Sequence, residues 1–559
     1  MARGRRNRLV GVDLGVFGDV GVDGDYDPPA GEAAERGDDQ APDEAIPRAR
    51  VPRARAAVAV GVVVLLGLSA WGATTDIAAR QERATLMTAP GGVLSLARPL
   101  SAAWTAAADT DHLPAFMPGL VVVQRGAELH ALDAGTGTER WQVEVGDTAT
   151  CGPALQGWQS LPEVDPLVCV DARPDGRQIV TVIRTNGTSV TRTLEPDVTT
   201  AAPTASGDLV TVRRTGPTPP SPDVRVIGQL NADGTTGPDG YLHVEGSVAA
   251  GQDAVVGLED AATGTPRWAR TVAFTPVADA STCGAITVAD NQATFDATHV
   301  TLTTPSSLVI VQGCGIQGAF TAAGAPVDHA SPQGAATWWQ PYADGGVLRS
   351  DATPAGQAQT LVRPDGTTTQ FADHDQVLSP LATDGTHPDA VLLSTPDQSS
   401  EARRRDGSAL WHSTLPVSQL LARTSRAAVV MYGYDAAGID LTTGKTLWVD
   451  PGSFLESTST TRDRAPDATD LGTGDGLSAS GAFTDGERVT LALDNPDGTA
   501  HGLVTLDPST GDVRWRTPAA GSTGVWSRYF TVAGHLVQLS VPATPSGPDA
   551  TSATITAWH

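Results

Sequence analysis

The sequence predicts an all-β, tandem-repeat fold, and three observations predict it. A phrase recurs at fixed spacing: Asp, two residues, Thr-Gly, three residues, then Trp, at Asp133–Trp141, Asp260–Trp268, Asp440–Trp448 and Asp507–Trp515. Each copy follows a short apolar or alternating run, such as LVVVQRGAELHAL before Asp133 and GLVTL before Asp507, the pattern of a strand with one buried face. Gly and Pro are abundant, at 60 and 40 residues, and beyond residue 75 no segment of helix length keeps a helical period.

Each residue of the phrase has a physical reason. Asp and Thr at a turn bond nearby backbone N–H groups, and Gly137, Gly264, Gly444 and Gly511 supply the positive φ that a tight hairpin demands. Trp141, Trp268, Trp448 and Trp515 then stand in the return strand, where a large flat side chain covers the edge of the next unit. A looser copy, RRDGSALW, keeps Gly407 and Trp411. The repeat unit is therefore a hairpin that packs sideways on its neighbour.

These residues resemble the tryptophan-docking motif of quinoprotein-type β-propellers, A-x-D-x-x-T-G-x-x-x-W. Quinone-dependent alcohol dehydrogenases share it with the propeller lipoprotein of the bacterial outer-membrane assembly machine. Ala131, Asp133, Thr136, Gly137 and Trp141 match it in full, whereas Leu258, Gly438 and Thr505 replace the leading Ala in other copies. The resemblance covers residues 95–559 and implies a β-propeller of about eight four-stranded blades, seven being possible. Degenerate turns at Thr185–Gly187, Asn231–Gly234, Ala322–Gly324 and Arg363–Gly366 supply units beyond the tryptophan copies. The segment around Trp104 reads as an outer strand lacking its own hairpin. The final run, TSATITAWH, reads as inner strands of the same blade, so the termini are expected to close the ring together.

Ahead of the propeller, residues 1–55 read as a disordered cytoplasmic tail, 56–73 as a transmembrane helix and 74–94 as a linker. The run from Ala56 to Ala73 rises about 27 Å as a helix, close to the thickness of a bilayer core. Arg48, Arg50, Arg53 and Arg55 precede it, which places the tail inside and the propeller outside a single-pass cell membrane. A cleaved signal peptide is the rival reading, with Ala70-Trp71-Gly72 as its cleavage site.

All four cysteines, Cys151, Cys169, Cys283 and Cys314, lie beyond the apolar run, as an extracytoplasmic domain in oxidising surroundings allows. Three pairings are open. The local one, Cys151 with Cys169 and Cys283 with Cys314, closes the smallest loops and is the one expected. A net charge of −26, with Lys445 the single lysine, excludes nucleic acid as a partner. No HExxH, phosphate-binding loop or G-x-S-x-G elbow is present.

Smaller features read as structure. His374, between Asp373 and Asp375, belongs to a solvated loop; the runs 494–498 and 231–240 are hairpin turns rather than calcium loops; 458–475 is a surface loop. Of the adjacent Trp338 and Trp339, which point to opposite faces of a strand, one should be exposed or capped.

The resemblance to quinone-dependent dehydrogenases implies a quinone clamped by a disulfide of adjacent cysteines, with calcium and a catalytic Asp. No two cysteines are adjacent here. The expectation is a non-enzymatic, membrane-tethered binding or scaffolding propeller for a protein or cell-envelope ligand, with no cofactor and no metal. The alternative is a quinone-dependent dehydrogenase or a degenerate relative of one.

Overall fold

The computed structural model describes residues 80–559, apart from 110–111, 155–160, 229–242, 284–285, 290–291, 306, 328–336, 344, 354–355, 373–374, 388, 434, 451–477, 496–497, 519–524 and 543–551. The tail, the apolar run 56–73, His374, the 231–240 run and the 458–475 loop lie outside the described residues. Among the described residues, no helix is long and apolar enough to cross a membrane.

The expected all-β propeller forms, with nine blades rather than eight. Seven of its sheets have four strands, one has five and one has three. In chain order, blade 1 spans 115–144, blade 2 149–193, blade 3 198–272, blade 4 300–321, blade 5 337–370, blade 6 376–413, blade 7 419–450 and blade 8 478–518. Blade 9 joins the ends of the chain. Its three inner strands are Val525–Val532, His535–Pro542 and Ser552–Trp558, and its outer strand is Ala102–Asp109, antiparallel to Ser552–Trp558. The termini thus close the ring as the sequence implied. Nine hydrophobic clusters, each shared by two successive blades, run round the circle, from Met117 and Leu167 between blades 1 and 2 to Phe530 and Val121 between blades 9 and 1.

The marked turns account for the nine blades. Five blades carry the tryptophan phrase and three carry the degenerate turns at 185–187, 322–324 and 363–366; the closing blade is the ninth. The 231–234 turn is no blade marker, because it falls between Asp223–Ile227 and His243–Ser247, a two-stranded ribbon inserted in blade 3.

Antiparallel order places the connections on two faces. Outer-to-inner and second-to-third connections emerge on one face, and first-to-second and third-to-fourth turns on the other, called here the turn face. The connection face carries an insertion with its own small core, where Val244, Val248 and Ala280 pack with Cys314. The Cys283–Cys314 disulfide ties this insertion to blade 4. Cys151–Cys169 joins the first two strands of blade 2 and closes the loop between them.

Part of that loop enters the ring. Glu163 bridges in parallel to Phe116, on the innermost strand of blade 1, and Ala154 bonds Thr304 of blade 4. Ala382–Thr383 likewise lies parallel to the inner strand of blade 7, and Gly92 bridges in parallel to Thr484 of blade 8. Three extra segments therefore line the axis towards the turn face.

Candidate functional site

The repeat residues form the ring's joints. Trp141 donates its indole N–H to the Thr185 carbonyl of blade 2 at 3.0 Å, Trp268 to Ala322 at 3.0 Å, Trp411 to Leu441 at 2.7 Å and Trp448 to Pro508 at 2.8 Å. Trp104 reaches Ala134 at 3.0 Å. Each indole lies on the turn glycine of the following blade: a Cβ on Gly137 would stand 2.6 Å from Trp104, and one on Gly444 2.6 Å from Trp411. The Gly and Trp of one phrase therefore serve two different interfaces.

The spacing of the phrase also has a structural cause. In the four blades with the full phrase the pairing of the last two strands shifts by one residue just before the Asp, as between Ala131 and Leu132, and the Trp411 blade shifts at the equivalent place, between Ala402 and Arg403; Trp104 follows such a shift too. The outer strands of blades 2 and 5, which have no tryptophan, pair without a shift. This bulge sets Trp141 opposite Ala131 and Trp448 opposite Gly438, and a Cβ on Gly438 would stand 2.2 Å from the indole nitrogen of Trp448. In blades 1 and 7 a small residue, Ala131 or Gly438, thus lies under the ring, whereas Leu258 and Thr505 take that place in blades 3 and 8.

Blades 2 and 5 dock by other means that sequence reading missed. Arg192 donates to the Ala261 carbonyl at 2.7 Å and pairs with Glu259, and Thr369 bonds the Arg405 carbonyl. The last joint is unlike the rest. Blade 9 is made from two chain ends and has no turn to offer, so Trp515 donates to the carbonyl of Leu96, in the segment leading into the outer strand, at 2.9 Å. Asp485 accepts the Leu96 N–H at 2.8 Å, and Val93, Leu96 and Leu100 complete the core between blades 8 and 9.

The Asp of each phrase organises its turn. Asp133 accepts from the Thr136 backbone at 3.0 Å, the Thr136 hydroxyl at 2.9 Å and Arg140 at 2.7 Å. Arg140 first, and Thr136 next, hold its carboxyl down at about 2. Asp260 and Asp440 are held low chiefly by the backbone N–H groups of Thr263 and Thr443. Asp507 is also held low, burial being outweighed by Arg514 and turn N–H groups.

Further aromatic side chains gather where the inner strands of blades 8 and 9 meet. A cleft of about 460 Å³ runs between the inner strands of blades 8 and 9, lined by Phe483, Asp494, Trp526, Arg528 and Tyr529, with Gly91 and Leu381 at its turn-face end. Trp526 is 52% exposed, and its ring lies over Gly498, where a Cβ would stand 2.7 Å away. Tyr529 meets Phe483 edge to face at 6.1 Å. Oδ1 of Asp494 is buried without a hydrogen-bond partner, and burial pushes the carboxyl up to about 6 against a bond from Ser480. Sequence reading took 494–498 for a turn, which it is, since Gly498 N–H bonds Asn495 O at 2.8 Å. It missed that Asp494 lines the cleft. Trp339 is buried between blades 4 and 5 with Arg349 5.8 Å from its ring, while Trp338 is exposed.

Comparison with protein-family models and with curated proteins finds no match. Among solved structures, the chain is similar to the quinohemoprotein alcohol dehydrogenase ADHIIG of Pseudomonas putida HK5, at 13% identity over 82% of this chain and 76% of that one, with a TM-score of 0.34. It is similar to BamB of Moraxella catarrhalis, at 13% identity over 82% of this chain and all of that one (100%), with a TM-score of 0.25. A third likeness is the C-terminal WD40 domain of Sif2, at 11% identity over 73% of this chain and 97% of that one, with a TM-score of 0.31. Likenesses at this level carry no function, and the propeller assignment stands on sheet order and docking geometry.

The residues do not fit a clamped quinone. The two disulfides join cysteines 18 and 31 positions apart, so neither forms the adjacent-cysteine clamp that the resemblance implies. Among the described residues, no group of three His, Cys, Asp or Glu side chains is arranged to hold a metal ion.

Proposed function

We propose that the protein is a membrane-tethered, extracytoplasmic binding module that uses its axial cleft, without catalysis, to hold a protein or cell-envelope ligand. One observation carries this reading: a division of labour among the tryptophans. Six of them, Trp104, Trp141, Trp268, Trp411, Trp448 and Trp515, are spent on joints between blades, whereas Trp526 lies half exposed in a cleft with an unpaired carboxyl oxygen. A concave site with aromatic walls and few polar groups is what a ligand pocket requires. The two disulfides support an oxidising compartment, and the Ala56–Ala73 run behind its arginines supports the tether.

A photo-crosslinking residue at position 527, beside Trp526, tests the reading in intact cells together with added protease. The expected result is a captured ligand, lost in Trp526→Ala, and a propeller cut from outside. A propeller protected from protease, or capture indifferent to Trp526, would overturn it. Turnover of alcohols or aldose sugars with added quinone and calcium, abolished by chelator, would replace it with the dehydrogenase reading.

A further inference from the structure

We infer that the axial cleft takes an organic cation, an alkylammonium group seated between the Asp494 carboxylate and the faces of Trp526 and Tyr529. This rests on the reading of the cleft as the ligand site and names the chemistry of what enters it.

The unmet requirement belongs to Asp494. It ends the strand Val489–Asp494, and its Oδ1 is buried with no donor. A carboxylate withdrawn from water needs a cation or several N–H donors. Among the described residues no cationic side chain pairs with it. Arg528 borders the same cleft, and burial lowers its pKa; among the described residues no ion pair joins it to Asp494. On the neighbouring strand, His501 bonds the side chain of Asn495 at 3.2 Å instead. Tyr529 is the remaining titratable group turned towards the carboxyl; burial first, and the charge of Asp494 second, raise its pKa.

The walls suit the same ligand. Indole and phenol faces attract cations through their quadrupoles, and ammonium groups are held in such cages. Trp526 is seated on Gly498, and Tyr529 is braced by Phe483, so both rings are set before a ligand arrives. The volume of about 460 Å³ accepts a small headgroup or a single side chain. A net charge of −26 draws cations towards the ring and repels anions.

Proton linkage follows from the geometry. Burial holds the empty carboxyl up to about 6, so a cation must compete with a proton below that pH and meets a ready carboxylate above it. Affinity therefore rises as pH increases through 6.

Calorimetry on the full-length protein in detergent, with choline, an N-acetyl-lysine amide and glucosamine as probes, separates a quaternary headgroup, a peptide lysine and an amino sugar. Glucose is the uncharged control. Saturable binding of at least one cation is expected, weaker by about tenfold or more at pH 5.0 than at pH 7.5. Asp494→Asn should weaken it by about tenfold and abolish the pH dependence, and Asp494→Glu should keep that dependence. Trp526→Ala should weaken binding, while Trp338→Ala, which removes an indole equally exposed at 52% but outside the cleft, should not. Circular dichroism of each variant confirms the fold.

Binding of glucose equal to that of glucosamine, or a pH profile unchanged in Asp494→Asn, would overturn the inference. If crosslinking at position 527 captures a ligand while none of the three cations binds, the cation class fails and the binding module stands. If neither occurs, both fail.

Discussion

The docking geometry predicts which pairs of residues are energetically coupled, and blades 6 and 7 provide the sharpest case. Trp411 is buried, donates to the Leu441 carbonyl at 2.7 Å and covers Gly444, whose φ is +72°. Trp411→Ala should cost about 3–5 kcal/mol, from lost burial, the cavity and the stranded carbonyl. Gly444→Ala carries two penalties. The left-handed backbone costs a side chain about 1–2 kcal/mol. The new Cβ at 2.6 Å from the ring forces repacking worth about 1–3 kcal/mol more.

When the indole is absent, only the backbone penalty survives. The double variant should therefore be more stable than the sum predicts by about 1–3 kcal/mol, the repacking term. Gly444 and Trp448 belong to one phrase but face different blades, so their effects should add to within about 0.5 kcal/mol. Urea unfolding monitored by fluorescence, with the three single and two double variants compared, measures both cycles. Additivity of Trp411 with Gly444, or strong coupling of Gly444 with Trp448, would refute the assignment of the joints.

Leu96→Ala, at the joint closed by Trp515, should cost about 2–5 kcal/mol in the same assay, since Leu96 is 1% exposed and no other segment fills its place. Acid should weaken the turns. The Asp133 carboxyl is held at about 2, below its unfolded value of 3.8, so its contribution is full above that value and is lost as pH falls from about 4 to 2. Urea midpoints taken across that window should fall less in Asp133→Asn than in wild type. Replacing Cys151 and Cys169 by Ala frees a separation of 18 residues and should cost about 3 kcal/mol on the chain-entropy account, read as a drop in the urea midpoint.

The ring was legible because its joints are periodic. Asp133, Gly137 and Trp141 stand at fixed offsets since hairpin, bulge and docking must all register within one phrase. The pairing of the ends was legible for the same reason, as Trp104 is a docking residue with no turn before it. The exact blade count was not, because the blades differ widely in length: blade 4 spans only 300–321, whereas blade 3, with its inserted ribbon, spans 198–272. The cleft was equally hidden. Asp494 sits in a stretch whose local chemistry is that of a turn, and only the meeting of blades 8 and 9 gives its carboxyl a buried setting. Trp526 lacks the phrase that marks Trp515, and no local pattern in the sequence announces the cleft it lines.

The seam of blade 9 bears on how the chain is made. Its outer strand, Ala102–Asp109, is synthesised before blades 1 to 8, while its partner, Ser552–Trp558, follows them. Blades 1 to 8 can stack in order as they appear, but throughout that interval the array is an open arc with raw strand edges at the seam, the surfaces most prone to wrong pairing. Loss of residues 552–559 would leave nearly every repeat intact and still deny the ring its lock.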